Sequence, residues 1–234
     1  MSAKVSMTST ALADQTLQHS RAHLEGLLGR SRQHDLLYMG VKMRWRVWGH
    51  GPRVLLVHGE HGSWMHWMKN IGELAAHFEV MVPDLPGYGD SDSIPNAANP
   101  DDTVARMVDC LVHGLSQLPG NSPLTHVAAF SFGTLLAARL ACRLPTLQTL
   151  TLLGPAAHDL GAVLPQAPCA VRLVWGEADL TTTPYKAAHR LSALHHDCQW
   201  TIISNAGHWV QYEQHELINA LLLSWWLAAP KEST

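Results

Sequence analysis

The sequence has little charge and no concentration of it. Charged side chains make up 15% of the residues, hydrophobic ones make up 47%, and the formal net charge is −3. This balance is typical of a folded globular protein and excludes a disordered chain. Because the basic residues are scattered, we expect neither a nucleic-acid partner nor a polybasic membrane surface.

Long apolar segments are also missing. Residues 1–6 lack the apolar core of a signal peptide, and the apolar run at 220–229 is too short to cross a membrane. The four cysteines lie far apart and form no C-x-x-C pair, which favours a reducing compartment. They are Cys110, Cys142, Cys169 and Cys198. We therefore expect a cytoplasmic protein with no membrane association.

No internal repeat or low-complexity stretch interrupts the chain, and its 234 residues suffice for one domain with a sheet covered on both faces. A half-exposed antiparallel pair is predicted at 36–39 and 41–48. Buried strands are predicted at 53–57, 79–83, 124–129, 147–153, 171–175 and 200–203. Helices are predicted at 64–78, 101–118, 135–140, 185–195 and 210–227. This alternation indicates an α/β fold with a mostly parallel, doubly wound sheet of about eight strands.

Residues 1–35 form an N-terminal extension ahead of the main domain at 36–234. From about residue 12 to residue 31 its pattern is that of an amphipathic helix. The apolar stripe of this helix consists of Leu17, Leu24, Leu27 and Leu28. Such a stripe has to cover some surface, and packing on its own domain is the commoner outcome.

The most informative stretch is Ala129-Phe130-Ser131-Phe132-Gly133, which follows a predicted buried strand and precedes a predicted helix. A serine on a sharp strand-to-helix turn has an exposed hydroxyl, and small residues must flank it. Ala129 replaces the first glycine of the G-x-S-x-G pattern. By itself this match predicts a nucleophile no better than it predicts an ordinary helix start.

A serine nucleophile needs a histidine base and an acid that orients the base. Asp179 follows the strand at 171–175, and His208 follows the last strand in a Gly-His pair. Ligands of doubly wound sheets bind at the carboxyl ends of the strands, where both residues would lie. Glu177 and Asp159 are alternative acids.

Together, these features resemble the serine α/β-hydrolases, particularly the esterase and carbon–carbon hydrolase branches. The resemblance covers about residues 36–228. It rests on His58-Gly59, on the loop from Asp84 to Ser91 with Gly87 and Gly89, on the turn Ala129–Gly133 around Ser131 (the nucleophile elbow), on Gly176-x-x-Asp179 and on Gly207-His208.

The resemblance implies an α/β-hydrolase fold with a Ser131–His208–Asp179 triad and no cofactor. It implies an oxyanion hole formed by the backbone N–H groups of Glu60 and Phe132. Phe130 and Trp209 are candidate substrate-binding residues, although aromatic side chains are more often part of a core.

A histidine cluster, His58, His61 and His66, could instead be read as metal ligands. A zinc site needs three or four convergent ligands, usually with a carboxylate or a thiolate among them. Because the resemblance places His58 in the turn that carries the Glu60 N–H of the oxyanion hole, we expect no metal.

The cap that most members carry between the strands at 147–153 and 171–175 is missing here. The resemblance therefore implies an open site, unless the N-terminal helix or a second subunit of a homodimer covers it. The expected substrate is a small-molecule carboxylic ester or a thioester. Alternatives are a carbon–carbon bond hydrolase, a cofactor-free perhydrolase, or a ligand-binding protein without turnover. Carbon–carbon hydrolases usually have Asn before the serine, where this chain has Phe130.

Overall fold

The computed structural model describes residues 17, 18, 20–95, 97–156 and 160–228. The chain divides into two units between Arg32 and Gln33. In the first unit, residues 17–29, apart from residue 19, form helix α1; the predicted start at residue 12 lies outside the described residues. Within the stripe Leu27 is buried, whereas Leu17 is exposed. That this helix covers a site stays a prediction.

The second unit is built on one eight-stranded sheet with the order β1-β2-β4-β3-β5-β6-β7-β8. Its strands are β1 Arg32–Tyr38, β2 Val41–Trp48, β3 Arg53–Val57, β4 Glu79–Pro83, β5 Leu124–Phe130, β6 Thr149–Leu153, β7 Ala170–Gly176 and β8 Cys198–Ile203. β2 runs antiparallel to β4, and the pairs from β4 through β8 are all parallel. The α/β class and the mostly parallel sheet are thus as predicted.

Helices cover both faces of the sheet. They are α2 Ile71–Leu74, α3 Pro100–Gln117, α4 Gly133–Ala141, α5 Pro184–Ser192, α6 Val210–Glu213 and α7 His215–Trp226. The buried residues of α3, α4 and α5 join Val127 of β5 in one core cluster. His126, the preceding residue on β5, stacks on Trp226 of α7. Since neighbouring strand residues point to opposite faces, α7 covers the other side.

Two predicted helices are each broken in two. In place of one helix at 64–78, a 3-10 turn, Trp64–Trp67, precedes α2. A second turn follows, in which the N–H of Asn70 donates to the carbonyl of Trp67. The Asn70 side chain donates to Oδ1 of Asn219 in α7. The predicted helix at 210–227 breaks at Gln214, whose backbone leaves helical angles (φ −121°, ψ 46°).

The segment between β6 and β7 forms no cap in its described part, residues 154–156 and 160–169. It contains one 3-10 turn, Leu164–Gln166, and its buried residues Leu160 and Leu164 belong to the core cluster. The first strand begins at Arg32, earlier than the predicted residue 36. Among the described residues, no helix combines the length and the apolar character needed to cross a bilayer.

Candidate active site

Ser131 lies at the sharp turn between β5 and α4. Its φ of 51° is in the left-handed region, which residues with a Cβ seldom adopt. The N–H of Ser131 donates to the carbonyl of Leu153 at 2.9 Å, which ties the turn to β6. A Cβ at Gly133 would overlap the carbonyl oxygen of His58, so glycine is needed where α4 starts. Ala129 is fully buried at the other flank, where its methyl group is accommodated.

His208 and Asp179 are brought to Ser131 by the loops after β8 and β7. The Nε2 atom of His208 is 3.0 Å from the Ser131 hydroxyl oxygen, and its Nδ1 atom is 2.9 Å from Oδ2 of Asp179. A carboxylate only accepts, so Nδ1 carries the proton and Nε2 accepts the hydrogen bond of the serine hydroxyl. This is the arrangement in which the histidine can take the serine proton.

Asp179 is buried and held by more than His208. The hydroxyl and the backbone N–H of Thr181 donate to its Oδ1 atom at 2.7 Å and 2.8 Å. Burial raises the pKa of Asp179, but the hydrogen bonds from His208 and Thr181 outweigh burial, and the pKa lies below its usual value. Asp179 is therefore ionised at neutral pH. The alternative acid Glu177 is exposed, and Asp159 lies outside the described residues.

Thr181 was not identified from the sequence. Its hydroxyl oxygen is also 3.2 Å from Nδ1 of His208, so it borders both members of the acid–base pair. The available signal was a hydroxyl residue two positions after the acid, a spacing at which side chains commonly bind local backbone and carboxylate groups.

The turn after β3 places the backbone of Gly59 and Glu60 beside the serine. A Cβ built on Gly59 would lie 3.0 Å from Cβ of Ser131, so the turn packs directly on the elbow. On the other side, Phe132 is the N-cap of α4. In the described part of the chain, neither the Glu60 N–H nor the Phe132 N–H donates to a protein acceptor. Both amides are free to bind an anionic oxygen.

His58 orients the peptide unit that contains the Glu60 N–H. The backbone N–H of Leu85 donates to Nε2 of His58 at 2.9 Å, so the proton resides on Nδ1, which donates to the carbonyl of Gly59 at 2.7 Å. In a trans peptide the N–H points opposite to the C=O. Holding the Gly59 carbonyl therefore fixes the direction of the Glu60 N–H. Burial lowers the pKa of His58, which keeps the ring neutral.

The three histidines considered as alternative metal ligands do not converge. The ring of His61 is largely exposed, and those of His58 and His66 are 5.8 Å apart between centroids and bind backbone groups. In the part of the chain that the structure describes, no group of three or more histidine, cysteine or acidic residues is placed to hold a metal ion.

The two candidate substrate-binding residues have different environments. Phe130 is 2% exposed, and its ring packs 4.9 Å from His208 and 5.4 Å from Trp209. Trp209 is 44% exposed beside His208. Phe130 is thus a buried packing partner of His208 and Trp209, whereas the exposed side of Trp209 is accessible to a ligand.

Glu213, at the end of α6, holds the loop that carries His208. Its two carboxylate oxygens accept the N–H groups of Gly207 and Trp209 at 2.7 Å and 3.0 Å, one on each side of the histidine. Sequence reasoning missed this residue, although an acid in the first turn of a helix is a usual partner for free amides.

Comparison with known proteins identifies the family of this fold. A family model described as alpha/beta hydrolase fold matches residues 52–168, half of the chain. The chain therefore belongs to the α/β-hydrolase fold family.

Individual relatives match over shorter segments. The soluble epoxide hydrolase of Corynebacterium sp. (strain C12) is 39% identical over 59 residues, 25% of this chain and 21% of that protein. The pimeloyl-[acyl-carrier protein] methyl ester esterase of Vibrio atlanticus (strain LGP32) is 43% identical over 53 residues, 23% of this chain and 20% of the esterase. These segments span only about a fifth of each relative.

The likeness of the fold extends much further. The crystal structure of a bacterial membrane phospholipase A, described as a virulence factor, has a TM-score of 0.78 to this chain, covering 95% of this chain and 94% of its own. At 18% identity this match concerns the fold alone.

Proposed function

We propose that this protein is a serine hydrolase that cleaves a carboxylic ester or a thioester through an acyl-enzyme. The observation that carries the proposal is the continuous hydrogen-bond path from Ser131 Oγ through His208 to the ionised Asp179. The backbone N–H groups of Glu60 and Phe132, which donate to no protein acceptor among the described residues, support it. So does the segment shared with an esterase.

The proposed reaction has two steps. Ser131 Oγ attacks the carbonyl carbon while His208 Nε2 takes the hydroxyl proton, and the carbonyl oxygen becomes an oxyanion bound by the two N–H groups. The intermediate then expels the alcohol or thiol, which takes its proton from His208. In the second step, His208 removes a proton from water, which attacks the acyl carbon. The new intermediate breaks its bond to Ser131 Oγ, which takes that proton back from His208, and the carboxylic acid is released. Fixed donors at the oxyanion typically lower the barrier by about 3–4 kcal/mol each.

The serine also separates this chain from one class of relative. Epoxide hydrolases of this fold, as the family resemblance implies, use an aspartate as nucleophile, and position 131 is a serine. The proposal therefore takes the esterase chemistry rather than the epoxide hydrolase chemistry.

The test is turnover of a short p-nitrophenyl ester followed by stopped flow. We expect a burst of p-nitrophenol equivalent to the enzyme, then a steady rate. Ser131→Ala should remove both phases, and Asp179→Asn should slow kcat by several orders of magnitude, because the amide favours the wrong tautomer of His208. Glu177→Gln, a change of an exposed neighbouring carboxylate, should have little effect. Binding without a burst, or turnover by Ser131→Ala, would contradict the proposal.

A further inference from the structure

His66 is a buried histidine that the proposed reaction does not use. It lies in the 3-10 turn Trp64–Trp67, and its Nδ1 atom is 3.2 Å from the backbone N–H of Gly59. A backbone N–H can only donate, so Nδ1 accepts and the ring proton resides on Nε2. Gly59 directly precedes Glu60, whose N–H is a proposed oxyanion donor.

The ring of His66 also contacts residues beside the nucleophile and the base. It lies edge-on to Trp209, with 4.5 Å between centroids, and to Phe130, with 5.5 Å. Phe130 directly precedes Ser131, and Trp209 directly follows His208. The His66 side chain thus contacts three residues, and each is adjacent in sequence to a group of the proposed site: the nucleophile, the base or an oxyanion donor.

Gly59 is the residue of the turn that needs such support. With no Cβ it can adopt many backbone conformations, and a Cβ at this position would lie only 3.0 Å from Cβ of Ser131, which is a tight contact. His58 binds its carbonyl and His66 binds its N–H, so both polar groups of the glycine have a side-chain partner. The His58 bond holds the peptide that carries the Glu60 N–H, and the His66 bond holds the peptide directly before it. Loss of the His66 bond would free the preceding peptide and so allow Gly59 to turn the Glu60 N–H away from the oxyanion.

We propose that His66 is a positioning residue that holds the oxyanion-binding turn through the Nδ1···H–N bond to Gly59. This inference rests on the proposed function, because it assigns the Glu60 N–H to the oxyanion. Burial, with a smaller effect of His58, lowers the pKa of His66 to about 4. The ring therefore keeps its acceptor nitrogen at neutral pH.

The hydrogen bond can be isolated by comparing two substitutions whose side chains branch at the same carbon. His66→Asn places Oδ1 near the position of Nδ1 and retains an acceptor, whereas His66→Leu has similar volume and no acceptor. His66→Phe is the complementary change, because it keeps an aromatic ring against Trp209 and Phe130 but cannot accept. If activity depends on the acceptor, asparagine replaces histidine and phenylalanine does not.

The measurements are kcat, KM, the affinity for a trifluoromethyl ketone analogue of the ester, and the melting temperature. The Ser131 hydroxyl adds to the ketone carbonyl, whose oxygen becomes an oxyanion. The affinity for the ketone therefore measures how well the protein binds the oxyanion. We expect His66→Leu and His66→Phe to lose about 10- to 100-fold in kcat and in ketone affinity with KM nearly unchanged, since a small displacement of catalytic groups has effects of this size. His66→Asn should stay within about threefold of the wild type.

A role in packing alone predicts the reverse order, with His66→Phe closest to the wild type and both smaller residues impaired. That order, or equal activity in His66→Asn and His66→Leu, would overturn the inference. His126→Phe is the control, because His126 is a buried histidine at the opposite end of β5. It should alter stability and leave kcat and ketone affinity unchanged. A wild type that shows neither burst nor ketone binding would refute the proposed function itself.

Discussion

Backbone strain at the residue scale is concentrated around the proposed site. Four non-glycine residues in the described part of the chain have a left-handed φ, and three of them border the site: His61, Ser131 and Asn205. Such a conformation costs roughly 1–2 kcal/mol for a residue with a Cβ. His61 directly follows Glu60, whose N–H is a proposed oxyanion donor, and Asn205 lies in the loop that leads to His208. The fold therefore tolerates strained backbone in the loops that bring the residues of the proposed site together.

Thr181 offers a test of how Asp179 is held. Thr181→Val removes the hydroxyl that donates to Oδ1 of Asp179 and keeps the side-chain volume. The pKa of the buried carboxyl should rise, because hydrogen bonds to a carboxylate favour its charged form. With a less firmly held acid, we expect kcat to fall by about tenfold, within the range for a lost hydrogen bond to a charged group. Ester hydrolysis across pH measures both effects.

Thr181→Ser is the matched control, since it keeps the hydroxyl and should retain most of the wild-type rate. If Thr181→Val and Thr181→Ser had the same rate, the threonine methyl group and not the hydroxyl would be what matters.

At the scale of elements, the site is assembled from loops at the carboxyl ends of β3, β5, β7 and β8. In the proposed site each loop carries one part: the Glu60 N–H, the serine, the acid and the base. The parallel register aligns these strand ends, so residues far apart in sequence meet there. The precision of the site then depends on what fixes each loop.

For the loop of His208, we expect the fixing group to be the Glu213 carboxylate. Glu213→Ala leaves the N–H groups of Gly207 and Trp209 without their acceptor, and Glu213→Gln leaves one oxygen for two amides. The expected order of kcat/KM is wild type, then glutamine, then alanine, with a loss of about tenfold for alanine from misplacement of the base. Rates with a p-nitrophenyl ester measure this order.

Glu216 provides a comparison, because it is an exposed carboxylate in the first turn of α7. Glu216→Gln should leave kcat/KM unchanged. An equal loss in this variant would point to a general charge effect instead of a loop-specific one.

At the scale of the whole molecule, buried neutral histidines make stability dependent on pH. Burial lowers the pKa of His66 and of His126 to about 4 in each case. In the unfolded chain the ordinary histidine pKa is about 6.5, so the unfolded state binds protons first as the pH falls. Above pH 6.5 neither residue has an effect, and between pH 6.5 and 4 each progressively destabilises the native state. The loss by pH 5 is of the order of 2 kcal/mol per histidine.

Urea unfolding at pH 7, 6 and 5 tests this prediction. The free energy of unfolding should fall over this range in the wild type, and it should fall less in His126→Phe, which removes one of the buried histidines. If the free energy of unfolding falls equally with pH in the two proteins, His126 takes up no proton on unfolding in this range.

The class of fold and three residues of the proposed site could be predicted from the sequence, with Glu177 and Asp159 left as alternatives to Asp179. Apolar runs of strand length alternate with helical patterns, and burial on both faces of a parallel sheet leaves few other architectures. A serine between small residues, followed in chain order by an acid and a histidine after later strands, predicted that Ser131, Asp179 and His208 would meet. The structure brings these three together, and their catalytic roles remain proposals.

The contacts that hold those residues in place became visible only in the tertiary structure. The helix predicted at 64–78 is broken because Asn70 binds α7, at a sequence separation of 149 residues from Asn219. The roles of Thr181, Glu213 and His66 depend on side-chain directions across loops, which sequence periodicity does not specify. Periodicity records which residues are buried, because burial is a property of one element, whereas a hydrogen bond between loops depends on how all the elements pack.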